Sequence, residues 1–127
     1  MNNKKVVGMW MDHSKAFIIA TADGSSTGEF SLIKKIEAGH HDSEHYKNEK
    51  VELSKDKLEL KKFFTAIEHE INDESDIFIF GPGTAQEELR NHLNESHIFK
   101  TKNIVLGKAD HLQVNEIISK VKEHFRG

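Results

Sequence analysis

Val6 to Met11 reads Val-Val-Gly-Met-Trp-Met, an almost unbroken apolar run. A run of that length with a β-branched start suits a strand covered on both faces. Asp12-His13-Ser14 then supplies turn chemistry, and Lys15 to Thr21, carrying Phe17, Ile18 and Ile19, reads as a second strand. The connection is so short that the two strands should form an antiparallel hairpin. After a turn at Asp23-Gly24-Ser25-Ser26, Phe30, Leu32 and Ile36 fall on one face of a third strand, interleaved with Ser31 and Lys35. Ile33 and Lys34 break that alternation, which points to an edge strand with one wet face.

From Ala38 to Leu53 the chain is polar and without period. That is longer than most connections, and such loops tend to be functional or mobile. Ser54 is the expected N-cap of a helix running to about Ile71. Leu60, Phe63, Phe64, Ile67 and Ile71 sit at i, i+3, i+4, i+7 and i+11 and form one apolar stripe. Ile77-Phe78-Ile79-Phe80 is a short apolar strand closed by Gly81-Pro82-Gly83. Thr84 with Glu87 has the spacing of a capping box for a helix carrying Leu89 and Leu93. Ile104-Val105-Leu106 is another buried strand, and Asp110 with Gln113 is the expected cap of a last helix. There Val114, Ile117, Ile118, Val121 and Phe125 repeat the helical stripe.

The element order is therefore β-β-β-α-β-α-β-α. Crossovers between parallel strands are right-handed, and the simplest solution puts the first strand in the centre, with the fourth and fifth added in parallel on its far side. That is an α/β, ribonuclease H-like arrangement: a mixed five-stranded sheet with helices on both faces. A ferredoxin-like sandwich fits less well, since it needs a helix directly after the first strand.

Composition narrows the chemistry. At 127 residues, one domain spanning 1–127 is expected. The absence of Cys excludes disulfide scaffolds, Cys-ligated zinc, iron–sulfur clusters and thiol nucleophiles. The formal charge of −3 lacks the basic excess of a protein that lives on phosphate-backbone contacts, so DNA is not an expected partner. No apolar run approaches the ~20 residues that span a bilayer. The stretch after Met1-Asn2-Asn3-Lys4-Lys5 is too short for a signal h-region, so the chain reads as cytoplasmic, with no membrane partner. Nine His in so short a chain raise the question of metals or proton transfer.

Gly81-Pro82-Gly83-Thr84 ends one strand and opens a helix, where free N–H groups and the positive helix end favour anions. If the first and fourth strands are parallel neighbours, Asp12-His13 lies beside this turn, at the carboxyl ends of strands where ligands of open α/β sheets bind. The plainer reading is a tight turn with a helix cap, Gly83 supplying positive φ and Pro82 rigidity. The turn is not a P-loop, because the Gly-Lys-Ser/Thr ending is missing. Asp12-His13 has the groups of an acid–base pair or half a metal site, but an Asp at a hairpin tip more often binds its own backbone in an Asx-turn. No third group is spaced to complete a triad. A two-metal nuclease needs several converging carboxylates, and neither the first strand nor the Phe80-Gly81 end of the fourth supplies one. His40, His41 and His45, with Asp42 and Glu44, form the densest potential ligand cluster; the polar surroundings favour a solvated loop over a metal site. The Lys residues from Lys47 to Lys62 offer a weak RNA-facing patch, but Glu49, Glu52, Asp56 and Glu59 are interleaved with them, which favours a plain solvated helix face.

Trp10-Met11-Asp12-His13-Ser14-Lys15-Ala16, the stretch from Ile77 through Gly81-Pro82-Gly83-Thr84-Ala85-Gln86-Glu87-Glu88 to Leu89, and Val121-Lys122-Glu123-His124-Phe125 together resemble small stand-alone bacterial proteins. Those are similar to the middle domain of the archaeal and eukaryotic peptide-chain release factor and of its ribosome-rescue relative Pelota. The resemblance implies a ribonuclease H-like fold and a context in translation. Release factors carry a Gly-Gly-Gln tripeptide between the third strand and the first helix. The matching stretch, Ala38 to Leu53, holds no Gln and only Gly39, so peptidyl-tRNA hydrolysis is not expected, as the likeness to Pelota also implies. The expectation is a non-catalytic binding protein contacting ribosome, RNA or a translation protein, with no catalytic residue, metal or cofactor assigned and its oligomeric state open. Its contact surface would be Asp12, His13 and Gly81 to Thr84, together with the loop bearing His40, His41 and His45. The alternative is a metal-dependent hydrolase or nuclease, or an anion- or nucleotide-binding protein, working at the same corner.

Overall fold

The computed structural model describes residues 4–39 and 49–126, except for the side chains of 49–56. Its strands are β1 (Val6–Met11), β2 (Lys15–Ala20), β3 (Ser31–Glu37), β4 (Asp76–Gly81) and β5 (Asn103–Lys108). Its helices are α1 (Glu49–Ile71), α2 (Ala85–Leu93) and α3 (Val114–Arg126), with one short 3-10 turn at His97–Phe99. The sheet order is β3-β2-β1-β4-β5. β1 pairs antiparallel with β2 and parallel with β4, and β4 pairs parallel with β5. The mixed sheet centred on β1 is the one expected from the element order.

β1 is buried at all six positions because both of its faces are covered. Val7, Met9 and Met11 join Ile77, Ile79, Phe63, Phe64, Ile67, Ile71, Leu89 and Leu93 in a core under α1 and α2. Val6 and Trp10 join Ile19, Phe30, Phe80, Ile117 and Val121 in a second core under α3. Gly8 permits that second layer to close. A Cβ there would lie 2.6 Å from both γ-carbons of Val121, so any larger residue would push α3 off the sheet.

Four local expectations are corrected. Phe30 and Ile36 do not share a face: Phe30 packs under α3, whereas Ile36 packs against the core under α1 and α2. The register slips between Ile18 and Ile19, which pair with Lys34 and Leu32 and leave Ile33 as the extra residue. One inserted residue reverses the parity of everything beyond it. The second correction is the start of α1, at Glu49 rather than Ser54. Glu49-Lys-Val-Glu-Leu is composed mostly of strong helix formers, and that propensity outweighs a Ser whose side chain suits a cap.

The third is Thr84, which makes no side-chain cap. Its ψ of 0° departs from the extended geometry that points an N-cap oxygen at the helix N–H groups, and its hydroxyl donates instead to Glu88 Oε2 at 3.0 Å. The fourth is α3, which is capped three residues later than Asp110. Glu116 Oε1 accepts the Gln113 N–H at 2.8 Å, and Gln113 O accepts from the N–H groups of Glu116 and Ile117. This is the reciprocal arm of a capping box. Asp110 instead uses its carbonyl, which accepts the indole N–H of the buried Trp10 at 3.1 Å.

Candidate functional site

Parallel pairing of β1 with β4 places Trp10 beside Phe80 and brings the carboxyl ends of both strands to one corner. Approach there is very close. A Cβ on Gly81 would lie 2.0 Å from the Met11 carbonyl oxygen, so only glycine fits. Gly83, expected to need positive φ, has none; among the described residues only Gly24 does, and the space around Gly83 is open. The demand for glycine falls on the residue before Pro82, and its cause is the neighbouring strand rather than the turn.

Asp12 closes the β1–β2 turn. Its Oδ1 accepts from the Ser14 N–H at 2.8 Å, the Ser14 hydroxyl at 2.8 Å and the Lys15 N–H at 3.0 Å. Oδ2 lies 3.4 Å from both Lys15 Nζ and His111 Nε2. Burial alone would raise its pKa, but the donors of Ser14 and Lys15 and the Lys15 charge outweigh that and hold it at about 2. A carboxylate so far below neutrality is a weak general base, because efficient proton transfer needs a pKa near the working pH. Asp12 is the Asx-turn acceptor that the plainer reading described.

His13 turns outward and places Nε2 3.0 Å from Glu88 Oε2, the oxygen that also accepts from Thr84. Asp12-His13 and the Gly81-to-Thr84 turn are thus joined through a residue of α2. The Glu88 carboxylate takes hydrogen bonds beside the helix N-terminus that an external anion would compete for. Lys108, at the end of β5, donates to the Gly83 carbonyl at 3.0 Å. Beneath the corner lies Gln86, which is 1% exposed. Its amide N–H groups reach the carbonyls of Gly81 and Gly107, both at 3.0 Å, and so tie β4 to β5.

Glu88, Gln86, Lys108 and His111 are corner residues that sequence reasoning missed. A signal existed for Glu88, one helical turn beyond Thr84, and for Lys108, at the strand end beside Gly81. None marked His111, which arrives on an irregular segment and packs its ring 5.0 Å from Trp10.

The outer surface of the corner presents His13, with a side chain 52% exposed, His111 at 68%, and the exposed Gly83, Thr84 and Lys108. No group of three His, Asp or Glu among the described residues is placed to hold a metal ion. His40, His41 and His45 lie outside the described residues, as do the side chains of Lys47, Lys50 and Lys55. No described helix is long and apolar enough to cross a membrane.

No family model matches the chain, and no curated protein does either. Among solved structures, Pelota from Archaeoglobus fulgidus superimposes with a TM-score of 0.62 at 14% identity, over 97% of this chain and 32% of that one. The archaeal translation termination factor aRF1 gives 0.55 at 14% identity, over 98% of this chain and 37% of that one. Pelota from Thermoplasma acidophilum gives 0.54 at 14% identity, over 91% and 30%. The chain is thus similar in fold to one portion of each of these proteins and spans about a third of their length.

Proposed function

We propose that this chain is a non-catalytic binding protein of the translation apparatus that contacts the ribosome through the Asp12/Gly81–Thr84 corner. The observation that carries the reading is the state of the corner's acids. Asp12 is held at about 2 by donors from its own turn, and Glu88 is engaged by His13 and Thr84. Both carboxylates are engaged by neighbours within the fold, and the exposed groups at the corner are His13, His111, Lys108 and the Gly83-Thr84 backbone, with the acids Glu87 and Asp110 nearby. Such a surface offers hydrogen-bond donors and the Lys108 ammonium to an acceptor-rich partner. The fold shared with Pelota and aRF1 supplies the context.

Co-sedimentation with ribosomes tests this. The chain is expected to pellet with ribosomes at low salt and to be partly released at moderate salt, because contacts to phosphate weaken as counterions compete. Failure to pellet at either salt contradicts the proposal. Turnover of a nuclease or phosphatase substrate that Asp12→Ala abolishes would favour the hydrolase reading instead.

A further inference from the structure

The segment joining β2 to β3 and the last turns of α3 enclose a cleft of about 500 Å³. Val6, at the start of β1, donates to the Gly24 carbonyl of that segment, so the cleft lies at the end of the sheet remote from the Asp12 corner. Its volume is in the range of sites that hold small organic ligands. Thr27, Glu29, Phe30, Ser119, Lys122 and Arg126 are among the residues that line it. Ser119, Lys122 and Arg126 stand at i, i+3 and i+7 and so share one face of α3.

Arg126 is the fixed element. Its Nε donates to the Ser26 carbonyl at 3.0 Å, its Nη2 donates to the Gly28 carbonyl, and the guanidinium lies 5.5 Å over the Phe30 ring. Carbonyls orient a guanidinium without neutralising it, and Nη1 has no partner among the described residues. Neither Arg126 nor Lys122 pairs with a carboxylate among those residues. Two effects oppose an anion here: the carbonyl end of α3, equivalent to about half a negative charge, and the exposed Glu29. The two full charges of Lys122 and Arg126 outweigh both together.

We propose that this cleft binds a small organic phosphomonoester. Its phosphate is held between Lys122 and Arg126 Nη1, with the hydroxyls of Ser119 and Thr27 as further donors. A phosphomonoester carries close to two negative charges at neutral pH and three acceptor oxygens. It therefore matches two cations and their neighbouring hydroxyls better than a singly charged carboxylate does. Hydrogen bonds from cations to phosphate are also among the stronger ones available. A phosphate group fills only part of the volume, so the rest of the cleft is left for the organic body. The site is separate from the ribosome-contacting corner and does not depend on it.

Titration calorimetry of the full chain with adenosine 5′-monophosphate, glucose 6-phosphate and inorganic phosphate tests this. At least one of the two esters is expected to bind with Kd below about 1 mM, and at least about tenfold tighter than inorganic phosphate. Lys122 is exposed, so Lys122→Glu should fold normally and weaken the ester by at least about tenfold. Glu29→Gln, which removes the opposing acid, should tighten it by roughly two- to threefold. A His13→Glu/Lys108→Glu variant, altered only at the corner, should bind the ester unchanged. The proposal is overturned if neither ester binds, if inorganic phosphate binds as tightly as the esters, or if Lys122→Glu leaves the affinity unaltered. Loss of ester binding in the corner variant alone would also overturn it, by locating the ligand at the other end of the sheet.

Discussion

At the C-terminal end of the β1–β4 pair, Asp12 accepts three hydrogen bonds through one oxygen and sits at about 2. At the N-terminal end of the same pair, Glu74 has a buried Oε1 with no partner among the described residues. Burial pushes Glu74 above the ordinary carboxylate value, helped by Asp73, against its own backbone N–H and the charges of Lys5 and Lys102. What closes that end is main chain and lysine. Lys5 O accepts from Ser75 and Asp76, and Lys102 Nζ reaches the carbonyls of Asn72 and Glu74. The difference shows that depth alone does not decide what a carboxylate does here. Asp12 organises a turn and stabilises the fold when ionised, whereas Glu74 is tolerated, and its charge costs stability.

Gly81→Ala is expected to have the largest effect, because its new Cβ meets the Met11 carbonyl oxygen at 2.0 Å and strand backbone cannot swing aside. A loss of about 3 kcal/mol in chemical denaturation is expected, and a loss below ~1 kcal/mol would mean that the two strand ends are less tightly apposed. Asp12→Ala follows, with a loss of about 1 kcal/mol at neutral pH after allowing for solvent screening of this partly exposed group. The folded pKa of Asp12 is depressed, so its contribution is present above the ordinary value of 3.8 and fades as pH falls through about 2. An acid titration of the Asp12→Ala variant should therefore lack part of the stability decline seen between roughly pH 4 and 2. An unchanged slope would contradict the turn's role.

Glu74→Gln works in the opposite direction. The folded pKa of Glu74 is raised, so the protonated form favours the fold and its contribution is lost as pH rises through the carboxylate range. The variant should be more stable at neutral pH by under ~1 kcal/mol and should respond less to pH above the ordinary value. Destabilisation would show that Glu74 has a partner in solution. Gly83→Ala should change least, within about 0.5 kcal/mol, since nothing lies within 4 Å of its Cβ position. Together with Gly81→Ala it separates the glycine demanded by strand approach from its unconstrained neighbour.

Much of this was legible in the chain. Apolar periodicity located all five strands and all three helices, and chain order implied the sheet, because the short β1–β2 connection and the right-handed crossovers leave few alternatives. The Asp12 turn was legible because Asx chemistry is local. The close approach at Gly81 was not, since it depends on where β1 ends beside β4. The bulge at Ile33 hid for a related reason: Phe30, Leu32 and Ile36 share even numbering, and only pairing with β2 reveals the inserted residue. Glu88 and His111 join the corner across about 75 and 100 residues of chain, a distance no local pattern spans.

The central claim is that the outward groups of the corner bind the ribosome while its carboxylates serve the fold. Its most direct test compares the unsubstituted chain with a His13→Glu/Lys108→Glu variant in ribosome co-sedimentation at low salt, after confirming by denaturation that both are folded. Both side chains are exposed, so losing the His13–Glu88 and Lys108–Gly83 contacts should cost under about 1 kcal/mol, while the variant loses most of its association. A variant that pellets as well as the unsubstituted chain, or an unsubstituted chain that does not pellet, would contradict the account.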